Sequence, residues 1–134
     1  MKFLIDTNIF LEIILGQEKS KEARDFLARV AEHHSFISDY SLHSIGTILF
    51  RQKKCSIFSQ FLDDMVMNVG MEIMSLDVED MVFVVETAKR IGLDFDGAYQ
   101  YVVAEKNDLT LVSFDTDFDR TQRGRKTPGD IFSN

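Results

Sequence analysis

Three aspartates stand where short apolar runs stop. Asp6 follows KFLI, Asp39 follows SFIS, and Asp115 follows LTLVSF. Asp94 and Asp96 come just ahead of the helical pattern GAYQYVVAEKN, and Asp117 and Asp119 follow Asp115 by two and four positions. In an open parallel sheet, strand ends and the helix starts that follow them share one edge, and ligands gather there. Carboxylates crowded on such an edge repel one another unless they are protonated or a cation neutralises them. Clustered hard oxygens select Mg²⁺ or Mn²⁺, and such ions activate water and clamp a phosphodiester. Each acid also has a plainer reading, since Asp is a favoured helix cap and turn residue. For Asp6 alone the cap and the ligand weigh evenly, and the convergence of several acids favours the ligand.

The elements that must position these acids alternate. KFLID, SFISD, MEIMSL and LTLVSFD read as four short strands. Between them lie helical patterns: IFLEIIL, then KEARDFLARVAEH with Ser20 as its expected cap, then SLHSIGTILFR, SIFSQFLDDMVMNV, VEDMVFVVETAKRIG and DFDGAYQYVVAEKND. Ala23, Phe26, Leu27 and Val30 fall on one face of the second of these. Pro128 sits in a tail that can hold a fifth strand or a last helical turn. Strand–helix alternation predicts an α/β fold: a three-layer α/β/α sandwich around a mostly parallel sheet of four to five strands. With 134 residues, no linker and no repeat, the expectation is one domain over residues 1–134.

Composition narrows the class. Hydrophobic residues make up 45% and charged residues 28% of the chain, an ordinary globular balance. No apolar run reaches the ~18 residues of a membrane span, and no signal-peptide pattern follows Met1. The single Cys55 has no internal disulfide partner, which fits a reducing, cytoplasmic setting. A net charge of −7 argues against a general nucleic-acid coat, but not against a nuclease pocket that meets phosphates through metal ions. Arg51, Lys53 and Lys54 form one basic cluster. Arg120, Arg123, Arg125 and Lys126 form another, which follows the Asp115 motif and has the better claim on RNA phosphates.

FLIDTNIFLEIIL, FISDYSLHSIGTIL, FDGAYQYVVAEKNDLTLVSFDTDF and TPGDIF together resemble the PIN-domain family, over almost the whole chain. The resemblance implies a metal-dependent ribonuclease fold, used among others by toxins of toxin–antitoxin pairs. It implies an Mg or Mn cofactor, an RNA substrate, an antitoxin partner and a homodimer. Asp6 matches the first metal ligand, Asp115 the late acid, and Asp117 the acid beside it. Thr7, Asn8 and Ser113 take the place of groups that orient Asp6 or the metal's water. Two positions depart from the pattern: Ser44 stands where the family has a Glu, and Gly97 where it has its third Asp. Asp96, one residue earlier, serves either as that third catalytic acid or as the cap of its helix. Asp39 is a substitute ligand for the missing Glu, and His43 a weaker one, more readily a partly buried structural histidine. The alternative is a degenerate PIN fold that binds without catalysis. A phosphotransfer receiver domain would need a second acid beside the first strand, and LIDTN has only Asp6 there. Phe58, Phe61, Met65 and Met67 mark an apolar stretch that is mostly core, with a residual face for dimerisation or an antitoxin helix.

Overall fold

The computed structural model describes residues 1–132, so Ser133 and Asn134 of the expected domain lie outside the described residues. Four strands form one sheet: β1 (Lys2–Ile5), β2 (His34–Ser38), β3 (Glu72–Met74) and β4 (Thr110–Val112). Their order is β3-β2-β1-β4, and every pairing is parallel. Leu4 lies opposite Phe36 on one side and Leu111 on the other, so β1 is the central rung. A continuous apolar run suits it, because a parallel sheet is covered on both faces.

The two faces divide the strand residues by parity. Phe3, Ile5, Ile37 and Val112 pack toward Ile9, Phe10, Phe26, Ile45 and Leu49. These come from α1 (Thr7–Ile14), α2 (Ser20–Val30) and α3 (Asp39–Arg51). On the same side, α4 (Cys55–Phe61) runs into a π-helical stretch, Leu62–Asn68. Leu4, Phe36 and Leu111 pack the other way, against Val84 of α5 (Met81–Ile91) and Ala98, Tyr101 and Val102 of α6 (Phe95–Asn107). The α/β/α layering expected from alternation is the architecture found.

Several local expectations change. Ser20 does not cap α2: it is the first helical residue, and its hydroxyl accepts from Arg24 at 3.1 Å. Asp39 does not end β2 but opens α3, capped by Ser38 Oγ, which accepts from Ser41 N at 3.0 Å. The α5 helix begins at Met81 rather than Val78, because residues 78–80 form a turn closed by i→i+3 bonds, Asp80 N to Asp77 O and Met81 N to Val78 O, each at 3.0 Å. Its end at Gly92, with φ 81°, is the left-handed stop expected there. In the tail, Lys126 makes a single parallel bridge to Val112, and α7 (Pro128–Phe132) then packs on α2, where Gly129 N donates to Glu22 Oε2 at 3.0 Å.

Winding runs outward from β1 through β2 to β3 and then jumps back across β1 to β4. The carboxyl ends of β1 and β4 therefore flank a topological switch point, where α/β sheets hold their ligands. Asp6 and Ser113 lie at those two ends, and Asp6 N donates to Val112 O at 2.9 Å.

Candidate active site

Asp6 leaves β1 extended and caps α1, its Oδ1 accepting from Thr7 N at 2.9 Å. The cap and ligand readings of this residue are thus compatible, because one bond leaves the rest of the carboxylate to other groups. Gln100 Nε2 donates to the same oxygen at 2.8 Å. Ser113 Oγ donates to Oδ2 at 2.6 Å, and Asn8 Nδ2 lies 3.5 Å from it. Asp6 is only 8% exposed. Burial pushes its carboxyl above the ordinary value; the bonds from Ser113, Gln100 and Thr7 pull it back, and the charge of Asp115 pushes it up again.

Thr7, Asn8 and Ser113 divide the work of holding this carboxylate. Asn8 Oδ1 accepts from Phe114 N at 3.2 Å, while its Nδ2 donates to Ser113 Oγ at 3.2 Å. Ser113 Oγ also accepts from Asp115 N at 3.0 Å, so one buried hydroxyl links the two acids. Thr7 meets Asp6 through its backbone and sends its hydroxyl to Ser41 Oγ at 2.8 Å, tying the strand end to α3.

Asp115 caps the 3₁₀ turn Thr116–Arg120 through Oδ1, which accepts from Asp117 N at 2.9 Å. Asp6, Asp94, Asp96 and Asp115 all line one cleft of about 170 Å³, with Tyr40 and Gln100 between them. Asp94, not Asp96, is the cap of α6: its Oδ1 accepts from Gly97 N at 2.8 Å. A Cβ on residue 97 would meet that same oxygen at 3.1 Å, so Asp94 occupies the space a side chain at 97 would enter. Asp96 is left free of capping and shares the cleft with Tyr40. Burial, then the hydrogen bond and charge of Asp96, push the Tyr40 phenol up to about 12.

Other candidates fall outside the cleft. Asp117 is exposed and pairs with Arg120 at 3.2 Å. Asp39 Oδ1 accepts from Tyr99 Oη at 2.7 Å, and its carboxylate belongs to that contact rather than to the acids. His43 is exposed rather than partly buried, and its Nδ1 lies 3.5 Å from Thr47 Oγ1. The basic tail is largely neutralised: Arg123 pairs with Asp108 and Arg125 with Asp119, each at 3.1 Å. Reading strand ends finds Asp6 and Asp115 but misses Tyr40 and Gln100. The only signal for Gln100 is polarity within a helix otherwise committed to the core, since α6 is buried without interruption from Gly97 to Ala104.

No group of three or more His, Cys, Asp or Glu among the described residues is gathered closely enough to hold a metal ion by itself. That does not exclude Mg²⁺, which keeps several waters and uses one or two carboxylates with substrate phosphates. Asp6 and Asp115 are such a pair: both line the cleft, and Ser113 Oγ links the carboxylate of one to the backbone of the other. The donor set fits a hard divalent cation in that open mode.

Three comparisons bear on identity. A toxin–antitoxin complex from Klebsiella pneumoniae superposes with a TM-score of 0.73 at 21% identity, covering 96% of this chain and 98% of that one. VapBC2 from Rickettsia felis, bound to a DNA fragment from its promoter, gives 0.74 at 19% identity, with coverages of 94% and 97%. VapC20 from Mycobacterium tuberculosis, a sarcin–ricin loop cleaving toxin, gives 0.74 at 16% identity, with coverages of 90% and 95%. These likenesses establish the fold. No curated protein sequence matches the chain. The PIN domain family model matches residues 3–124, from the first strand to beyond the Asp115 turn, and on that match the chain belongs to the PIN domain family.

Proposed function

We propose that this chain is an Mg²⁺- or Mn²⁺-dependent endoribonuclease that serves as the toxin of a toxin–antitoxin pair in the cytoplasm. The observation that carries this reading is the meeting of Asp6, Asp96 and Asp115 in one cleft at the switch point of the sheet. Family membership and the toxin neighbours support it. Residues 1–134 are read as one domain, supported by two cores that share a single sheet.

Asp6 and Asp115 would hold the cation, with Asp96 at the rim as the third acid. When bound, it supplies Lewis-acid stabilisation of a phosphodiester's developing charge and a lowered pKa for water. The chain's own residues do the rest. Ser113 and Asn8 lock the Asp6 carboxylate and couple it to the Asp115 backbone. Tyr40, raised to about 12, keeps its proton at neutral pH and is a hydrogen-bond donor at the cleft, not a base. Without a cation the acids would repel phosphate, so substrate binding and metal binding are linked.

The partner surface follows from the apolar stretch noted in the sequence. Phe10, Ile13, Ile14, Leu27, Phe61 and Met65 line an apolar groove of about 490 Å³ between α1, α2 and α4. An amphipathic antitoxin helix would lay its apolar face there. Val82, Phe83 and Val85 of α5 stay exposed and suit a second copy of the chain. Among the described residues no helix is long and apolar enough to cross a membrane.

Cleavage of labelled single-stranded RNA with Mn²⁺ tests the reading. Activity is expected that chelation abolishes and Asp6→Asn removes. Absence of cleavage, together with no Mn²⁺ affinity by calorimetry, would overturn it. Ser44 and Gly97 favour one second reading, a binding module on the same fold. That reading is the one left if the cleft binds metal or RNA but never cleaves.

A further inference from the structure

Gln100 is 1% exposed, in the middle of a helix whose neighbours from Gly97 to Ala104 are all buried. An apolar side chain of the same length would pack there without difficulty, so the amide calls for a reason. Half the reason is visible. Nε2 donates to Asp6 Oδ1 at 2.8 Å and to Ser41 Oγ at 2.8 Å, which uses both amide hydrogens. This fixes the orientation of the group: turned over, Oε1 would press against a carboxylate oxygen.

The other half is missing. Oε1 is buried and has no hydrogen-bond partner among the described residues. A buried carbonyl oxygen left in that state costs about 1–3 kcal/mol. A proton donor or a cation would complete it. The carboxylates that share the cleft with Gln100 are acceptors, and no hydrogen bond joins the Tyr40 phenol to Oε1. Oε1 also has almost no surface open to a water molecule. A water oxygen would stand ~2.8 Å away, whereas Mg²⁺ sits about 2.0–2.1 Å from its oxygen ligands and needs less room. Amide oxygens are hard ligands of such ions, alongside carboxylates.

We propose that Gln100 Oε1 is a neutral oxygen ligand of the divalent cation held by Asp6 and Asp115. It stands in for coordination that the chain does not supply through acids at Ser44 and Gly97. The assignment rests on the metal-site reading given under Proposed function and deepens it. One side chain then does two tasks: its nitrogen orients Asp6, and its oxygen takes the ion. Because the ligand is neutral, it adds a donor without adding to the repulsion among the acids.

Crystals of the full chain soaked in MnCl₂ test this through the anomalous signal of manganese. The expected result is a Mn²⁺ peak within about 2.3 Å of Gln100 Oε1 and in contact with Asp6 or Asp115. A peak on the carboxylates with Oε1 beyond coordination distance would overturn the role of Gln100 and leave the metal site standing. No peak at the cleft would overturn both. Calorimetric titration of Gln100→Met with Mn²⁺ gives an independent readout. Affinity should fall by about tenfold or more, and the unfolding midpoint without metal should fall as well, because the variant also removes the Nε2 bonds to Asp6 and Ser41. Wild-type Mn²⁺ affinity in that variant would also overturn the proposal.

Discussion

Ser113 Oγ donates to Asp6 Oδ2 at 2.6 Å across 107 positions of sequence, and it is the shortest link between the ends of the two strands that flank the switch point. The same oxygen accepts from Asp115 N and Asn8 Nδ2, so one hydroxyl sets the spacing of the two acids. Ser113→Ala should therefore strip a charged acceptor of its donor and leave two further hydrogens without an acceptor. The expected loss is about 1.5–3 kcal/mol of stability, read from urea denaturation. Mn²⁺ affinity should fall in parallel. A variant as stable as the wild type would show that Ser113 is a spectator.

Asp6 carries the opposite balance. Its carboxyl holds its proton to a higher pH when folded than when unfolded, chiefly because it is buried. Its charge therefore opposes folding: the loss is absent below the unfolded value of 3.8 and complete once pH has risen through the folded one. Asp6→Asn has no carboxyl to ionise. Its Oδ1 can still accept from Thr7 N and Gln100 Nε2, but its Nδ2 stands where Oδ2 accepts from Ser113 Oγ, so that bond is lost at every pH. The pH dependence distinguishes the variant: relative to the wild type in chelator, Asp6→Asn should gain stability as the pH rises from 4 toward neutral. Denaturation midpoints at several pH values measure this difference, and a difference that does not change with pH would contradict the account. Stability given up at a carboxylate proposed to hold a metal is the usual trade between function and folding.

Arg125 shows how the basic tail is tied into the fold. Its guanidinium forks onto Asp119 at 3.1 and 3.2 Å and reaches Ser113 O at 3.1 Å, with its side chain only 14% exposed. Asp119 is more than half exposed, so the ion pair itself contributes little. The bond to the Ser113 carbonyl, next to the cleft, matters more. Arg125→Ala should cost about 1–2 kcal/mol, with Arg125→Lys recovering only part because an ammonium lacks the fork. The salt dependence of RNA binding should barely change. A fall in that slope by about one unit would instead mark Arg125 as a phosphate contact.

How much of this is legible in the sequence depends on whether the cause is local. Asp6 and Asp115 can be read because each ends an apolar run, and strand ends in a parallel sheet share an edge. The layers follow for the same reason, from alternation. Ser20 and Asp39 mislead because a capping residue and its neighbour differ by one position, and Ser38 competes for the same role. Tyr40 and Gln100 escape notice because their partners, Asp96 and Asp6, lie 56 and 94 positions away and only the folded sheet brings them together. The basic tail misleads through its acids: Asp108, Asp117 and Asp119 are spread along the chain and neutralise it only after folding.

Gly97 offers a gain-of-function test of the site. It begins the buried face of α6, donates its N–H to Asp94 Oδ1, and lies on the cleft wall. Gly97→Asp would add a carboxylate to a cleft already lined by Asp6 and Asp115. The new Cβ meets Asp94 Oδ1 at 3.1 Å, so the Asp94 side chain must give way by a few tenths of an ångström. Asp94 is exposed and can move, and replacing glycine inside a helix recovers roughly 0.5–1 kcal/mol of backbone entropy to set against the crowding. The added charge raises the repulsion among the acids, which only a cation relieves. Gly97→Asp should therefore be less stable than the wild type in chelator and more stabilised by Mn²⁺, with affinity tighter by about tenfold, or roughly 1.4 kcal/mol. Thermal unfolding with and without Mn²⁺, alongside calorimetry, separates the two effects. If the substitution weakens Mn²⁺ binding, the cleft wall at position 97 does not face the ion, and Asp94 and Asp96 are the acids at the start of α6 left to reach it.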